Sequence, residues 1–144
     1  MVTTEPSRLV ITFGDGKEFT VDMSTAISGY PFLSPLKNPG FFRKAHVDED
    51  GMSVVWSDGI DLAGDNLRAE AVEQSGGISH ERIWNWMHRN ELSLTTAATA
   101  LGISRRMLAY YRNGEKPIPK HIWLACLGWE HSTYDSVEAQ KIAA

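Results

Sequence analysis

The chain has 144 residues, 42% of them apolar, and a net charge of −4 at neutral pH. That apolar share can build one core or two small ones and excludes wholesale disorder. The acidic total argues against a nucleic-acid binder, but the charge is uneven: residues 1–77 carry six basic side chains against twelve acidic ones, and residues 78–131 carry seven against four.

In chain order, Met1–Ser7 lacks the basic segment and apolar stretch of a signal peptide. Arg8–Phe13 alternates in the strand period, Gly14-Asp15-Gly16 makes a tight turn, and Glu18–Val21 returns, which together read as a β-hairpin. Ser24–Gly29 has room for one helical turn. Pro31, Pro35 and Pro39 then break the chain, so Phe32, Leu33, Leu36, Phe41 and Phe42 are expected to pack as an irregular apolar cluster. Lys44–Val47 and Ser53–Trp56 read as two more strands across the acidic turn Asp48–Gly51, with a further turn at Asp58-Gly59 and a short extended piece at Ile60–Leu62. Asp65 is placed to cap a helix over Asn66–Glu73. The expectation for residues 1–75 is a small antiparallel sheet with a covering helix.

Gln74-Ser75-Gly76-Gly77 is a flexible polar boundary, and after it the signals turn helical. A helix is expected from Ser79 to about Asn90, with Ile83, Trp84, Met87 and Trp86 contributing its apolar stripe. Three more follow over Thr95–Leu101, Ser104–Arg112 and Lys120–Trp129, before a polar tail over 132–144. Asn113-Gly114 suits a left-handed helix end, and Pro117 and Pro119 stand where a helix start tolerates proline. The fold class is therefore α+β: a sheet-containing domain over 1–75, then a four- or five-helix domain over 78–131.

The stretch Leu92–Pro119 bears most on function. Ala97 and Ala98 allow close helix approach, Gly102 accommodates a positive φ, Ile103 can plug the corner between two helices, and Ser104 can cap the second of them. Leu108 and Tyr111 are expected to face inward. Arg105 and Arg106 then open the second helix, where positive charge opposes the helix dipole by a few tenths of a kcal/mol or more. Folding gives no reason for them there. A phosphate backbone and guanine edges do, since an arginine can pair bidentately with guanine O6 and N7. Tyr110 adds a ring for a thymine methyl and a hydroxyl for phosphate.

This layout resembles the helix-turn-helix of the phage repressor and Cro family, the Xre type. Leu92, Ala98, Leu101, Gly102, Ile103, Ser104, Leu108, Asn113 and Gly114 match its pattern. The resemblance implies double-stranded DNA as partner, with base-reading sites at Arg105, Arg106 and Tyr110 and backbone-contacting sites at Thr95, Ser104, Arg112, Asn113 and Lys116. Leu94 stands where the family commonly has a phosphate-contacting glutamine, and Arg112 stands where it has glutamate. The first change removes a backbone contact and the second adds positive charge. Such domains usually act as two-fold dimers, so a homodimer is expected.

The first half resembles a small uncharacterised bacterial α+β family in its Phe13–Gly16 turn, its Pro31–Phe42 segment and the run from Val54 to Leu62. Such domains are often encoded beside toxins, which implies an antitoxin-like role with a basic, toxin-like protein partner.

No catalytic motif is visible. The carboxylates Asp48, Glu49, Asp50, Asp58, Asp61 and Asp65 fall mostly in turns that favour aspartate, and the five histidines lack metal-ligand spacing. The lone Cys126 lies in the apolar run Ile122–Leu127 and reads as a buried small hydrophobe. No apolar run approaches the roughly 18 residues of a membrane span. The expectation is a non-enzymatic cytoplasmic transcriptional regulator, a repressor, without metal or cofactor. The alternative is a protein-interaction module whose acidic N-terminal domain binds a basic partner.

Overall fold

Side-chain alternation sets the first sheet. The computed structural model describes residues 1–4, 6–57 and 59–135. Strands β1 (Val2–Thr4), β2 (Arg8–Thr12) and β3 (Glu18–Asp22) pair antiparallel in that order, with Leu9 opposite Val21 and Val10 opposite Val2. Leu9, Ile11 and Val21 are buried on one face. The β2–β3 turn closes through the Phe13 amide donating to the Lys17 carbonyl at 2.9 Å, and Asp15 Oδ1 accepts from the Lys17 amide at 3.1 Å. Strand β1 was not anticipated from the sequence, because its three residues are too short to show a period.

The proline-broken segment is a series of short helices: α1 (Ser24–Gly29), a 3₁₀ helix (Pro31–Lys37) and α2 (Pro39–Phe42). Leu33, Leu36 and Phe42 are buried as expected of an apolar cluster, but Phe32 faces solvent. A second sheet follows, β4 (His46–Val47), β5 (Ser53–Val55) and β6 (Asp61–Ala63), again antiparallel in chain order. The residues therefore form two three-stranded sheets where one was expected. Strands β4–β6 satisfy their hydrogen bonds among themselves, and the helical block over 24–42 separates them in sequence from β1–β3. Lys44 and Ala45 do not join β4, since their amides donate to Phe41 and Phe42 and continue the turn after α2. The Trp56 indole N–H is buried and donates to the Phe42 carbonyl at 3.0 Å. Of the expected turn at Asp58-Gly59, Asp58 lies outside the described residues.

Helix α3 runs over Gly64–Gln74 and begins two residues earlier than expected, with Asp65 inside its first turn and Ala63 at the cap. There Asp65 still complements the helix dipole. Gly64 lies at a close approach: a Cβ would sit 3.1 Å from the Met52 carbonyl, a tight contact with the group that already accepts the Gly64 amide. Leu67 and Ala71 join the core of this unit, which spans Met1–Gly76.

The second unit, from Gly77, holds α4 (His80–Arg89), α5 (Leu94–Leu101), α6 (Arg105–Arg112) and α7 (Lys120–Asp135). Its core contains Ile83, Trp86, Met87, Ala97, Ala98, Leu108, Tyr111, Ile118, Ile122 and Cys126. Burial pushes the Cys126 thiol up to about 12. Trp86 is fully buried while Trp84 is 51% exposed, so the stripe of α4 is 83, 86, 87 and 90 rather than one that includes Trp84. The i, i+3, i+4, i+7 spacing places Trp84 about 100° off that stripe. Helix α7 continues past its expected end to Asp135, and the remainder of the tail assigned to 132–144 lies outside the described residues. The fold is α+β, and among the described residues no helix is long and apolar enough to cross a membrane.

Candidate functional site

Two caps and one glycine position the face of α6. Ser93 and Thr96 form a reciprocal capping box at the start of α5, with Ser93 Oγ accepting from the Thr96 amide at 3.1 Å and Thr96 Oγ1 accepting from the Ser93 amide at 2.8 Å. That box moves the start of α5 to Leu94. Gly102 ends α5 in the left-handed region at φ 70°, and the Ile103 amide returns to the Ala98 carbonyl at 3.1 Å. Ser104 then caps α6 by accepting from the Met107 amide at 3.1 Å. Helices α5 and α6 are thus joined by the three-residue turn Gly102-Ile103-Ser104.

Leu108 and Tyr111 turn inward, so the other face of α6 is displayed. The helix carries three arginines and no acidic residue. Arg105 and Arg106 are exposed, and no partner is present for Arg105 among the described residues. Arg106 Nε donates to the Tyr110 hydroxyl at 2.8 Å, one helical turn on, and its guanidinium carbon lies 5.6 Å from the Tyr110 ring centre. The Lys116 ammonium lies 4.6 Å from the same ring centre. Gly114, at φ 80°, brings it there: after this left-handed residue, the Glu115 and Lys116 amides both donate to the Tyr110 carbonyl, at 3.0 and 3.3 Å. A Cβ on Gly114 would also touch His80 Nδ1, at 3.4 Å. Arg106, Tyr110 and Lys116 thereby form one cluster around a single aromatic ring.

The remaining residues expected at this site are placed differently. Arg112 is half-buried, with its guanidinium 5.0 Å from the exposed ring of Trp84. Asn113 is engaged with Glu115 in a turn, accepting from its amide at 3.2 Å and donating to its carboxylate at 2.9 Å. The Ser104 hydroxyl is occupied as a cap, and exposed Thr95 stands in the first turn of α5. Trp84 was missed from the sequence as part of this face. Its position one residue off the buried stripe was the available signal.

Helix α7 is fixed to α4 behind this surface. Arg89 makes a two-pronged ion pair with Glu130, Nε to Oε2 at 2.6 Å and Nη2 to Oε1 at 3.1 Å, and Asn90 also donates to Glu130. The hydrogen bond from Arg89, then that from Asn90, holds the Glu130 carboxyl below the ordinary glutamate range. The Trp86 indole N–H donates to the Cys126 carbonyl at 2.9 Å, and the Trp86 ring meets Trp129 edge-on at 5.7 Å. Among the described residues, no three His, Cys, Asp or Glu side chains converge to hold a metal.

The architecture defines a class of chain in which a unit of two small sheets precedes a helical unit displaying an arginine-led helix after a glycine turn. Residues 2–73 match the family described as "Protein of unknown function (DUF2442)". A crystal structure from Nitrosomonas europaea ATCC 19718, of a protein described as a "putative DNA binding protein", is similar at a TM-score of 0.86 and 46% identity, covering 94% of this chain and 86% of that one. The chain belongs to the DUF2442 family. The family match falls on the sheet-containing half, whereas the likeness to the solved protein extends into the helical half as well. Comparison with curated proteins gives no match.

Proposed function

We propose that this protein is a sequence-specific DNA-binding transcriptional repressor, with α5 and α6 acting as a helix-turn-helix and α6 entering the major groove. One observation carries the reading. Helix α6 carries Arg105, Arg106 and Tyr110 and no acidic residue of its own, and Lys116 stands beside them. The description of the Nitrosomonas protein as DNA-binding supports it. In this reading Arg105, Arg106 and Tyr110 face bases, while Thr95, Ser104, Arg112, Asn113 and Lys116 lie toward the phosphate backbone. The surplus positive charge of the helical unit is small, so a second copy on a neighbouring half-site would strengthen binding by doubling the phosphate contacts.

The acidic surplus of residues 1–77 favours a second role beside the first, binding of a basic, antitoxin-partner-like protein by the sheet-containing unit. Retention of such a partner by the full chain, and its loss at high salt, would support that role.

The DNA reading is tested by fluorescence anisotropy on duplexes from the region upstream of the chain's own reading frame. Replacing Arg105 and Arg106 with alanine should weaken binding by at least about tenfold and lower the salt dependence by about one phosphate equivalent per residue that lay on the backbone. Both side chains are exposed, so the melting temperature should change little. Unchanged affinity and salt slope in the double variant would refute the reading.

A further inference from the structure

We infer that Arg106 is the guanine-reading residue of this surface and that Tyr110 is its positioning residue rather than a base reader, while Arg105 and Lys116 serve the phosphates. The inference rests on the DNA reading above and refines it, moving Arg105 from the bases to the phosphates and Tyr110 from reading to positioning.

The four side chains are held differently. Arg106 gives its Nε–H to the Tyr110 hydroxyl at 2.8 Å, with Cζ 5.6 Å from the ring centre. An arginine has five N–H donors in a planar fork. One is spent on Tyr110, and the four on Nη1 and Nη2 remain. Two parallel N–H groups from those nitrogens are what guanine O6 and N7 accept. Because Nε is fixed from within the protein, the plane of the fork is set before any base arrives. Less rotamer freedom is then lost on pairing, and a base edge offering the wrong acceptors meets a fork that cannot readily turn away. Among the described residues, Arg105 has no such latch. A flexible cation suits a phosphate, which is reached from many directions and does not require a fixed plane.

Lys116 completes the device. Its ammonium lies 4.6 Å from the Tyr110 ring centre, so one ring stabilises two cations. An ammonium is a point charge without a fork, and it is held at this ring by the backbone turn through Gly114. It fits a phosphate flanking the base that Arg106 reads.

The test uses the full chain and a randomised duplex pool. Wild type is carried through selection, and the enriched duplex is then remade with 7-deazaguanine, which lacks N7, at each enriched guanine in turn. At one position the substitution should weaken wild-type binding by about tenfold. It should cost Arg106→Ala nothing further, because the partner of N7 is already gone. Tyr110→Phe keeps the ring and removes only the oxygen. It should cut the discrimination at that position roughly threefold or more, with salt slope and melting temperature unchanged. A merely structural role would move the melting temperature instead. Arg105→Ala and Lys116→Ala should keep the preference and each lower the salt slope by about one. The division of roles is overturned if Tyr110→Phe discriminates as wild type does, if the N7 effect survives in Arg106→Ala, or if Arg105→Ala abolishes it. Failure of wild type to enrich any duplex would instead overturn the DNA reading and this assignment with it.

Discussion

Gly102 shows how far single residues can be read from sequence. Its left-handed φ of 70° and the cap at Ser104 follow from local rules that need only a few neighbouring residues. The space around its missing Cβ is open, so a side chain there is opposed by backbone conformation alone. Gly102→Ala should therefore destabilise the helical unit by about 1 kcal/mol, and Gly102→Asn by less, because asparagine tolerates this region better. Thermal unfolding of the two variants checks the order. Other residue-scale features depend on partners distant in sequence and were not legible. The family resemblance puts Arg112 toward the DNA backbone; its stacking on Trp84, which joins α6 to α4 across 28 positions, leaves no local mark in the sequence. Trp84 and Trp86 are alike in type, and only the phase of α4 decides that one is exposed and the other buried.

The four helices of the second unit were legible as elements because each has its own period and punctuation. The two sheets were less so. Strand β1 and the two-residue β4 are too short to carry a period, and separate pairing of β4–β6 is decided by hydrogen-bond partners rather than by pattern. The end of α7 was misplaced because its final residues are polar, while the Arg89–Glu130 pair tethers it to α4. That pair also makes helix attachment depend on pH. The Glu130 carboxyl is held below its ordinary range in the folded chain, so its stabilising contribution is complete above that range and is lost as pH falls through the depressed value. Near neutral pH, Glu130→Gln should destabilise the chain by about 0.5–1 kcal/mol, a modest figure because both partners are partly exposed. Denaturant titrations at neutral and acid pH should show wild type and variant converging on acidification. A constant difference would mean that the charge of Glu130 contributes nothing.

At the scale of the whole molecule, an acidic unit of two small sheets is joined at Gly76-Gly77 to a helical unit with surplus positive charge. The change in charge and in element type was legible, since both are compositional. The face on which function is proposed was legible in part. Local spacing put Arg105, Arg106 and Tyr110 together, but the convergence of Arg106 and Lys116 on one ring depends on the turn after α6. The central claim is that the face of α6 meets DNA. Backbone amide spectra of the full chain, titrated with the duplex selected from the random pool, test it most directly. The account predicts that the largest shifts fall between Ser93 and Lys116, centred on the first turn of α6. Shifts centred on residues 2–73, with the amides of Arg105 and Arg106 unmoved, would contradict it.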